Sequence, residues 1–228
     1  MQWVLDDSLN DGAIGVQQLM GQNAFYDNLA AFGIGAPTGV DLAGEANYPL
    51  PPQNQWQAIN YATASFGQGV MVTPLQMVTA INAVANGGVW VQPHVVNSIT
   101  NPNTGKVTTF QPTTRRVMSP AASATLRTMM THVVDDPGAE GVLAQIPGFK
   151  GEIAGKTGTA SVAVNGVYGN NVIVSFGGFF PASNPQYTMI VVVNLPQETS
   201  VIREGFDLAA PTWRQLAERI IDEYRIVP

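Results

Sequence analysis

Gly155, Lys156, Thr157, Gly158 and Thr159 sit together in GEIAGKTGTASVAV, Gly151 to Val164, a run that otherwise reads as a β-strand. Three readings compete: a phosphate loop, the inner wall of an acyl-transfer site, or a strand whose glycines only relieve crowding. A phosphate loop needs Gly, four residues and then Gly-Lys-Thr, opening a helix whose N-terminus faces the anion. Here three residues separate Gly151 from Gly155-Lys156-Thr157, and GTASVAV continues as strand. The phosphate reading fails on spacing and on context. On this stretch alone the other two readings stay open: glycines in a strand often mark a bulge or a close approach to the backbone, and in an acyl-transfer wall a strand lysine would set positive charge beside a serine and favour proton shuttling. Threonine hydroxyls can hold a carboxylate, and Gly158 would let a substrate backbone lie against the strand. A backbone N–H just past that glycine can serve an oxyanion.

The elements that must position this strand are legible from local signals. In VTPLQMVTAINAVANGG, Thr73 can N-cap, Pro74 suits the first helical position and Gly87 the left-handed stop, with Met77, Ile81 and Val84 at helical spacing. SPAASATLRTMMTHVV repeats the device with Ser119 and Pro120. Residues 13–32 read as two short helices broken near Gly21, with Asn23 as cap and Gly33 as stop. Near the C-terminus Trp213, Leu216, Ala217, Ile220 and Tyr224 form one apolar stripe, which predicts a closing helix with Trp213 and Tyr224 in the core.

Residues 152–161, 172–180 and 187–195 read as strands, separated by the turn-like VNGVYGNN and PASNPQ. Such short connections predict antiparallel neighbours, since a parallel return needs about a dozen residues or more. Residues 187–195 are apolar on both faces, so the sheet should be covered on each side. Val89 to Ile99 offers a further extended segment. The fold class expected is α+β, an antiparallel sheet covered by helices with part of a helical subdomain. Residues 1–140 form the mostly helical half, with a long surface connection at 34–60, and residues 141–228 carry the sheet and the closing helix.

Composition removes several functions. Of the 228 residues 45% are hydrophobic and 11% charged, too apolar for a disordered chain, and the formal net charge of -6 offers no basic footprint for nucleic acid. Without cysteine there is no disulfide, thiolate metal site or cysteine nucleophile. No His/Asp/Glu cluster has metal-ligand spacing and no cofactor motif stands out, so neither metal nor cofactor is expected. DDSLNDG fails as a calcium loop, because the positions that need Gly and Glu are Asp11 and Gln17. His132 reads as a packing or surface residue, and Asp135-Asp136 and Asp222-Glu223 as solvated neighbours pointing different ways. Gly67-Gln68-Gly69 reads as a sharp turn that does not touch substrate. MQWVLDDSLNDG lacks the basic flank and apolar core of an export signal, and no apolar run approaches the ~18 residues of a membrane span.

Lys156-Thr157-Gly158 is also the third signature of penicillin-binding proteins and serine β-lactamases, and the one Ser-x-Asn of the chain is Ser8-Leu9-Asn10. Longer segments agree in order. SLNDGAIGVQQLMGQNAFYDNLAAFGIGAPTGVDLAGE, SFGQGVMVTPLQMVTAINAVANGGVWVQPHVV, GAEGVLAQIPGFKGEIAGKTGTA and DLAAPTWRQLAERI each resemble the corresponding part of class B penicillin-binding proteins. The chain thus resembles the C-terminal part of their transpeptidase domain, over nearly its whole length.

The resemblance implies a peptidoglycan D,D-transpeptidase, in which a serine attacks the penultimate D-Ala carbonyl of a D-Ala-D-Ala stem peptide. D-Ala leaves, an amine resolves the acyl-enzyme, and β-lactams acylate the same serine. It assigns proton relay to Ser8, a substrate amide contact to Asn10 and electrostatic support to Lys156. Thr157 and Thr159 would bind the substrate carboxylate across Gly158, with the Thr159 N–H in the oxyanion hole. Its implied location is the extracytoplasmic face of the bacterial membrane.

The nucleophile and base of the family belong to a Ser-x-x-Lys, and no serine of this chain is followed by lysine at the third position. The chain alone is therefore expected not to form an acyl-enzyme. Its expected partner is a missing N-terminal part of the same protein, or a companion chain. An inactive domain that recognises stem peptide or a protein partner is the alternative, and a D,D-carboxypeptidase or β-lactamase relative a third.

Overall fold

Proline and a hydroxyl residue start the two best-defined helices of this computed structural model, which describes residues 1–164, 167–197 and 204–228. Thr73 Oγ1 accepts the Gln76 N–H at 3.1 Å while Gln76 Oε1 accepts the Thr73 N–H at 2.8 Å, a reciprocal cap that satisfies two otherwise orphaned donors. Ser119 Oγ does the same for the Ala122 N–H at 3.1 Å. In chain order the helices are α1 (Gln2–Asp6), α2 (Asn10–Met20), α3 (Gln22–Ala31), α4 (Ala58–Ser65), α5 (Pro74–Ala85), α6 (Pro120–Asp135) and α7 (Ala210–Tyr224). The break between α2 and α3 falls at Gly21 (φ 85°), which caps both. Asn23 is not the cap: it lies inside α3, where its Oδ1 accepts from Gln53 Nε2 at 2.9 Å.

The expected extended segment from Val89 to Ile99 is two strands with different partners. β1 (Val89–Val91) pairs with β4 (Thr114–Arg116), and β2 (Ser98–Thr100) pairs with β3 (Val107–Thr109). Residues 34–57 lack long elements but are more than a surface connection. Ile34 and Thr38 are buried, Gln76 Nε2 donates to Ala36 O at 2.7 Å, and Asp41 accepts the N–H groups of Val95 and Val96 at 2.8 and 2.7 Å. Gln76 of α5 thus satisfies a carbonyl of the segment through a part-buried hydrogen bond, while Asp41 fastens it to the Val95–Val96 backbone at the surface.

The main sheet runs β5 (Ala154–Val164), β6 (Val167–Phe180) and β7 (Tyr187–Asn194), in that order and antiparallel throughout. The strands are longer than the turn-like VNGVYGNN suggested, because pairing resumes past an irregularity between Ser161 and Ala163. The Asn165-Gly166 part of that turn lies outside the described residues. Both faces are covered. Phe176, Phe180 and Ile153 pack against Trp213, Ala217 and Ile221 of α7, while Ala154 and Phe179 pack against Val84, Ala85 and Met130 of α5 and α6. Trp213 lies 5.1 Å from the Phe176 ring and donates from Nε1 to Met189 O at 3.0 Å, so its one polar atom is satisfied in the core.

Only part of the predicted stripe on α7 is buried. Trp213 and Ala217 are, as is Ile221, whereas Leu216 and Tyr224 are 42% and 65% exposed. Leu216 lies to one side of the row facing the sheet. Tyr224 lies beyond the end of the core, where its ring meets Tyr187 at 5.7 Å.

Crowding dictates Gly155: a Cβ there would overlap the Phe176 ring. That glycine of the Lys-Thr-Gly neighbourhood is set by packing beneath the strand. Trp213→Ala should remove about 3–5 kcal/mol of stability, and Leu216→Ala about 0.5 kcal/mol or less, in urea unfolding followed by fluorescence or circular dichroism.

Candidate active site

The turn between α1 and α2 carries Ser8 in the left-handed region at φ 51°, a conformation a non-glycine residue holds only when its surroundings impose it. The imposition is visible: Leu9 N donates to Val4 O at 3.1 Å, and Lys156 Nζ donates to Ser8 Oγ at 2.9 Å. Asn10 follows as the first residue of α2. The register of β5 on β6 pairs Lys156 with Gly177, Thr157 with Phe176, and Gly158 with Ser175. Sequence positions 148 residues apart thus meet across one cleft.

Lys156 keeps 24% of its side chain exposed. Its ammonium donates to Ser8 Oγ, to Thr157 Oγ1 at 3.0 Å and to Thr157 O at 3.4 Å, and stands 3.6 Å from Glu140 Oε2. Burial lowers the Lys156 pKa from its ordinary 10.5, opposed by the Glu140 charge and hydrogen bond and by the charge of Asp6. Thr157 Oγ1 in turn donates to Glu140 Oε2 at 3.0 Å, completing a Lys156–Thr157–Glu140 relay. Thr159 Oγ1 accepts the Gly205 N–H at 3.1 Å and so anchors the π-helical turn Gly205–Ala209 against β5. A Cβ on Gly205 would come within 2.6 Å of Ser175 O and 2.8 Å of Gly158 O, so glycine is what permits this approach.

The resulting cleft, about 240 Å³, is lined by Ser8, Asn10, Thr157, Gly158 and Thr159, and Lys156 is hydrogen-bonded to Ser8 and Thr157 of that lining. All the sequence-predicted site residues therefore come together. The structure adds Phe66, Glu140, Glu204, Gly205 and Phe206 to the walls. Gly67 and Gly69 have φ 87° and 77°, the sharp turn expected of them, and the residue before that turn is the Phe66 of the cleft.

Asp6 was also missed. Buried on α1, it accepts from Gln2 Nε2 at 2.6 Å and meets His132 Nδ1 at 3.1 Å, while its carbonyl accepts the Glu140 N–H at 3.0 Å. It ties the Ser8 turn to α6 and to the Glu140 loop. Asp135 and Asp136 are not simply solvated. Asp135 Oδ2 accepts the Gly151 N–H and Asp136 Oδ1 the Gly138 N–H, each at 2.8 Å, and Asp136 also lies 3.7 Å from His132 Nε2. These carboxylates clasp the loop that leads into β5. No spacing rule marks Glu140 or Asp6, whose roles depend on loop geometry. Among the described residues no group of three or more acidic, His or Cys side chains could hold a metal.

A sheet-and-helix fold with Ser-x-Asn and Lys-Thr-Gly facing across one cleft defines a class, that of serine D,D-transpeptidase and β-lactamase-like proteins. Comparison with known proteins is more specific. The penicillin-binding protein transpeptidase domain family matches residues 1–218. Penicillin-binding protein PbpB of Mycolicibacterium smegmatis is 34% identical over 232 residues, covering 98% of this chain and 35% of that protein. Peptidoglycan D,D-transpeptidase FtsI of Escherichia coli K12 is 33% identical over 226 residues, covering 99% of this chain and 36% of that protein. The crystal structure of penicillin-binding protein 3 from Mycobacterium tuberculosis, complexed with aztreonam, superposes with a TM-score of 0.89 at 31% identity, covering 100% of this chain and 52% of that one. The chain belongs to the family of class B penicillin-binding protein transpeptidase domains, and spans about a third of the length of the curated relatives it matches.

Because desolvation favours the neutral amine, the cation of this cleft is lost at a lower pH than from an exposed lysine. The Lys156 side-chain resonance, assigned by its absence in Lys156→Ala, should titrate with a midpoint below 10.5 in NMR. An anion resting on Lys156 should lose affinity as pH rises through that midpoint.

Proposed function

We propose that this chain supplies the Ser-x-Asn and Lys-Thr-Gly walls of a peptidoglycan D,D-transpeptidase site, whose nucleophile lies in a segment outside it. The observation that carries this is the 2.9 Å hydrogen bond from Lys156 Nζ to Ser8 Oγ at the edge of an open polar cleft. Relatives named as D,D-transpeptidase and a structural neighbour holding aztreonam, itself a β-lactam, support the same direction.

The proposed chemistry joins this geometry to the roles that the family resemblance implies. A serine Oγ brought up beside Lys156 and Ser8 gives its proton to the lysine of its own Ser-x-x-Lys and attacks the penultimate D-Ala carbonyl, forming the acyl-oxygen bond as the peptide bond to the terminal D-Ala breaks. Ser8, hydrogen-bonded to the ammonium, relays a proton to the departing amine. Lys156 lowers the energy of negative charge developing on oxygen, the more so because little water screens it. Asn10 holds a donor-peptide amide. Thr157 and Thr159 take the terminal carboxylate, Gly158 leaves room for the peptide against β5, and the Thr159 N–H contributes to the oxyanion hole. The amine of a second stem peptide then displaces the serine. The proposed setting is the extracytoplasmic face of the bacterial membrane. No helix among the described residues is long and apolar enough to cross one.

Intact-mass spectrometry after incubation with a β-lactam tests the reading. The 228-residue chain should gain no mass, while the polypeptide or companion that brings Ser-x-x-Lys to it should gain one drug molecule per serine. Lys156→Ala in that acylating form should slow acylation about 10²–10³-fold, the usual loss when one preorganised electrostatic group is removed. A drug adduct on this chain by itself would overturn the placement of the nucleophile. A natural polypeptide that never acylates would make this a recognition domain.

A further inference from the structure

The Lys156–Thr157 pair that would receive a substrate carboxylate already faces one from its own chain. Glu140 Oε2 accepts a hydrogen bond from the Thr157 hydroxyl at 3.0 Å and sits 3.6 Å from Lys156 Nζ. A threonine hydroxyl has a single proton to give, so Thr157 cannot donate to Glu140 and to an incoming carboxylate at once. Glu140 and an incoming carboxylate would also share the Lys156 ammonium at close range, a like-charge arrangement that disfavours the second anion.

The backbone around Glu140 is fixed while its side chain is free to leave. Its N–H donates to Asp6 O at 3.0 Å, Ala139 before it is buried, and the Gly141 N–H donates to Val133 O at 3.1 Å. The Glu140 side chain is 41% exposed and borders both the cleft and a shallower hollow beside it, lined by Pro137, Val142 and Phe206 among others. Water is therefore available to a displaced carboxylate. Of the other acidic groups, Asp6 is buried behind Lys156 and held by Gln2 and His132, and Glu204 lies on the cleft wall. Neither makes the Thr157 contact.

We propose that Glu140 is a specificity-determining residue: an internal carboxylate that occupies the anion subsite of the cleft and must be displaced by the terminal carboxylate of a bound peptide or β-lactam. This rests on the reading of the cleft as a D-Ala-D-Ala site. Binding is then an exchange of one carboxylate for another at Thr157 and Lys156, so the chain discriminates less sharply between acid and amide ligands than a site with a neutral residue at 140.

The test compares N-acetyl-D-Ala-D-Ala with its C-terminal amide by NMR titration of the isotope-labelled full chain, in the wild type, Glu140→Gln and Glu140→Thr. Gln keeps an acceptor for Thr157 without the charge, and Thr removes both reach and charge. The acid-to-amide affinity ratio should rise about tenfold in each variant, equivalent to about 1.4 kcal/mol. An unchanged or reduced ratio in two variants that retain the wild-type spectrum would mean that Glu140 only orients Lys156 and Thr157, and would overturn the inference. Lys156→Ala and the double variant Thr157→Val/Thr159→Val separate the two levels. If both leave acid and amide affinities unchanged, the cleft does not hold the carboxylate at all, and the functional reading falls with the inference.

Discussion

An ammonium taken largely out of water must be surrounded by oxygen, and the need to satisfy Lys156 organises the cleft wall from several directions. Ser8 Oγ comes from the turn between α1 and α2, Thr157 from the neighbouring strand position, and Glu140 from the loop ahead of β5. The lysine donates to the two hydroxyls and to Thr157 O, with the Glu140 carboxylate 3.6 Å away. Loss of Glu140 would remove the nearest opposite charge, and loss of either hydroxyl would remove a hydrogen bond from a poorly solvated ammonium, where each costs more than at the surface.

Those oxygens stay in place because a second set of contacts holds their backbones. Asp6 joins the serine turn to His132 of α6 through its side chain and to Glu140 through its carbonyl. Asp135 and Asp136 grip Gly151 and Gly138 at either end of the loop between. Beneath, Phe176 fills the space that Gly155 leaves empty, which fixes β5 against a core closed by Trp213. The acidic excess of the chain thus serves partly as internal fastening around one cation.

Residue patterns disclose the strands, the capped helices and the motif residues because each rests on local chemistry. Thr73-Pro74 and Ser119-Pro120 announce helix starts within four residues, and Lys156-Thr157-Gly158 is a contiguous word. The misreadings lie where tertiary placement decides. Tyr224 shares its helix face with Trp213 yet falls past the edge of the sheet, and periodicity carries no information about where a sheet ends. Asn23 is a good capping residue two positions past a glycine that can turn the chain unaided. Glu140 and Thr157, 17 residues apart and joined by a loop, meet through a path that no spacing rule encodes. The adjacent acids at 135 and 136 looked idle because their partners are backbone N–H groups, which every sequence has everywhere.

The span between Ser8 and Lys156 also governs the order in which the molecule comes together. β5, β6 and β7 are joined by short connections and can pair early, since closing a short loop sacrifices little chain entropy. The contact between Ser8 and Lys156 closes a loop of 148 residues and gains its enthalpy only once the sheet and α6 already stand. Ligand recognition is consequently a property of the finished fold and not of its intermediates. A chain that has built its sheet but not yet brought the serine turn home lacks the Ser8–Asn10 wall of the cleft, and so offers a ligand only one side of what it will later bind.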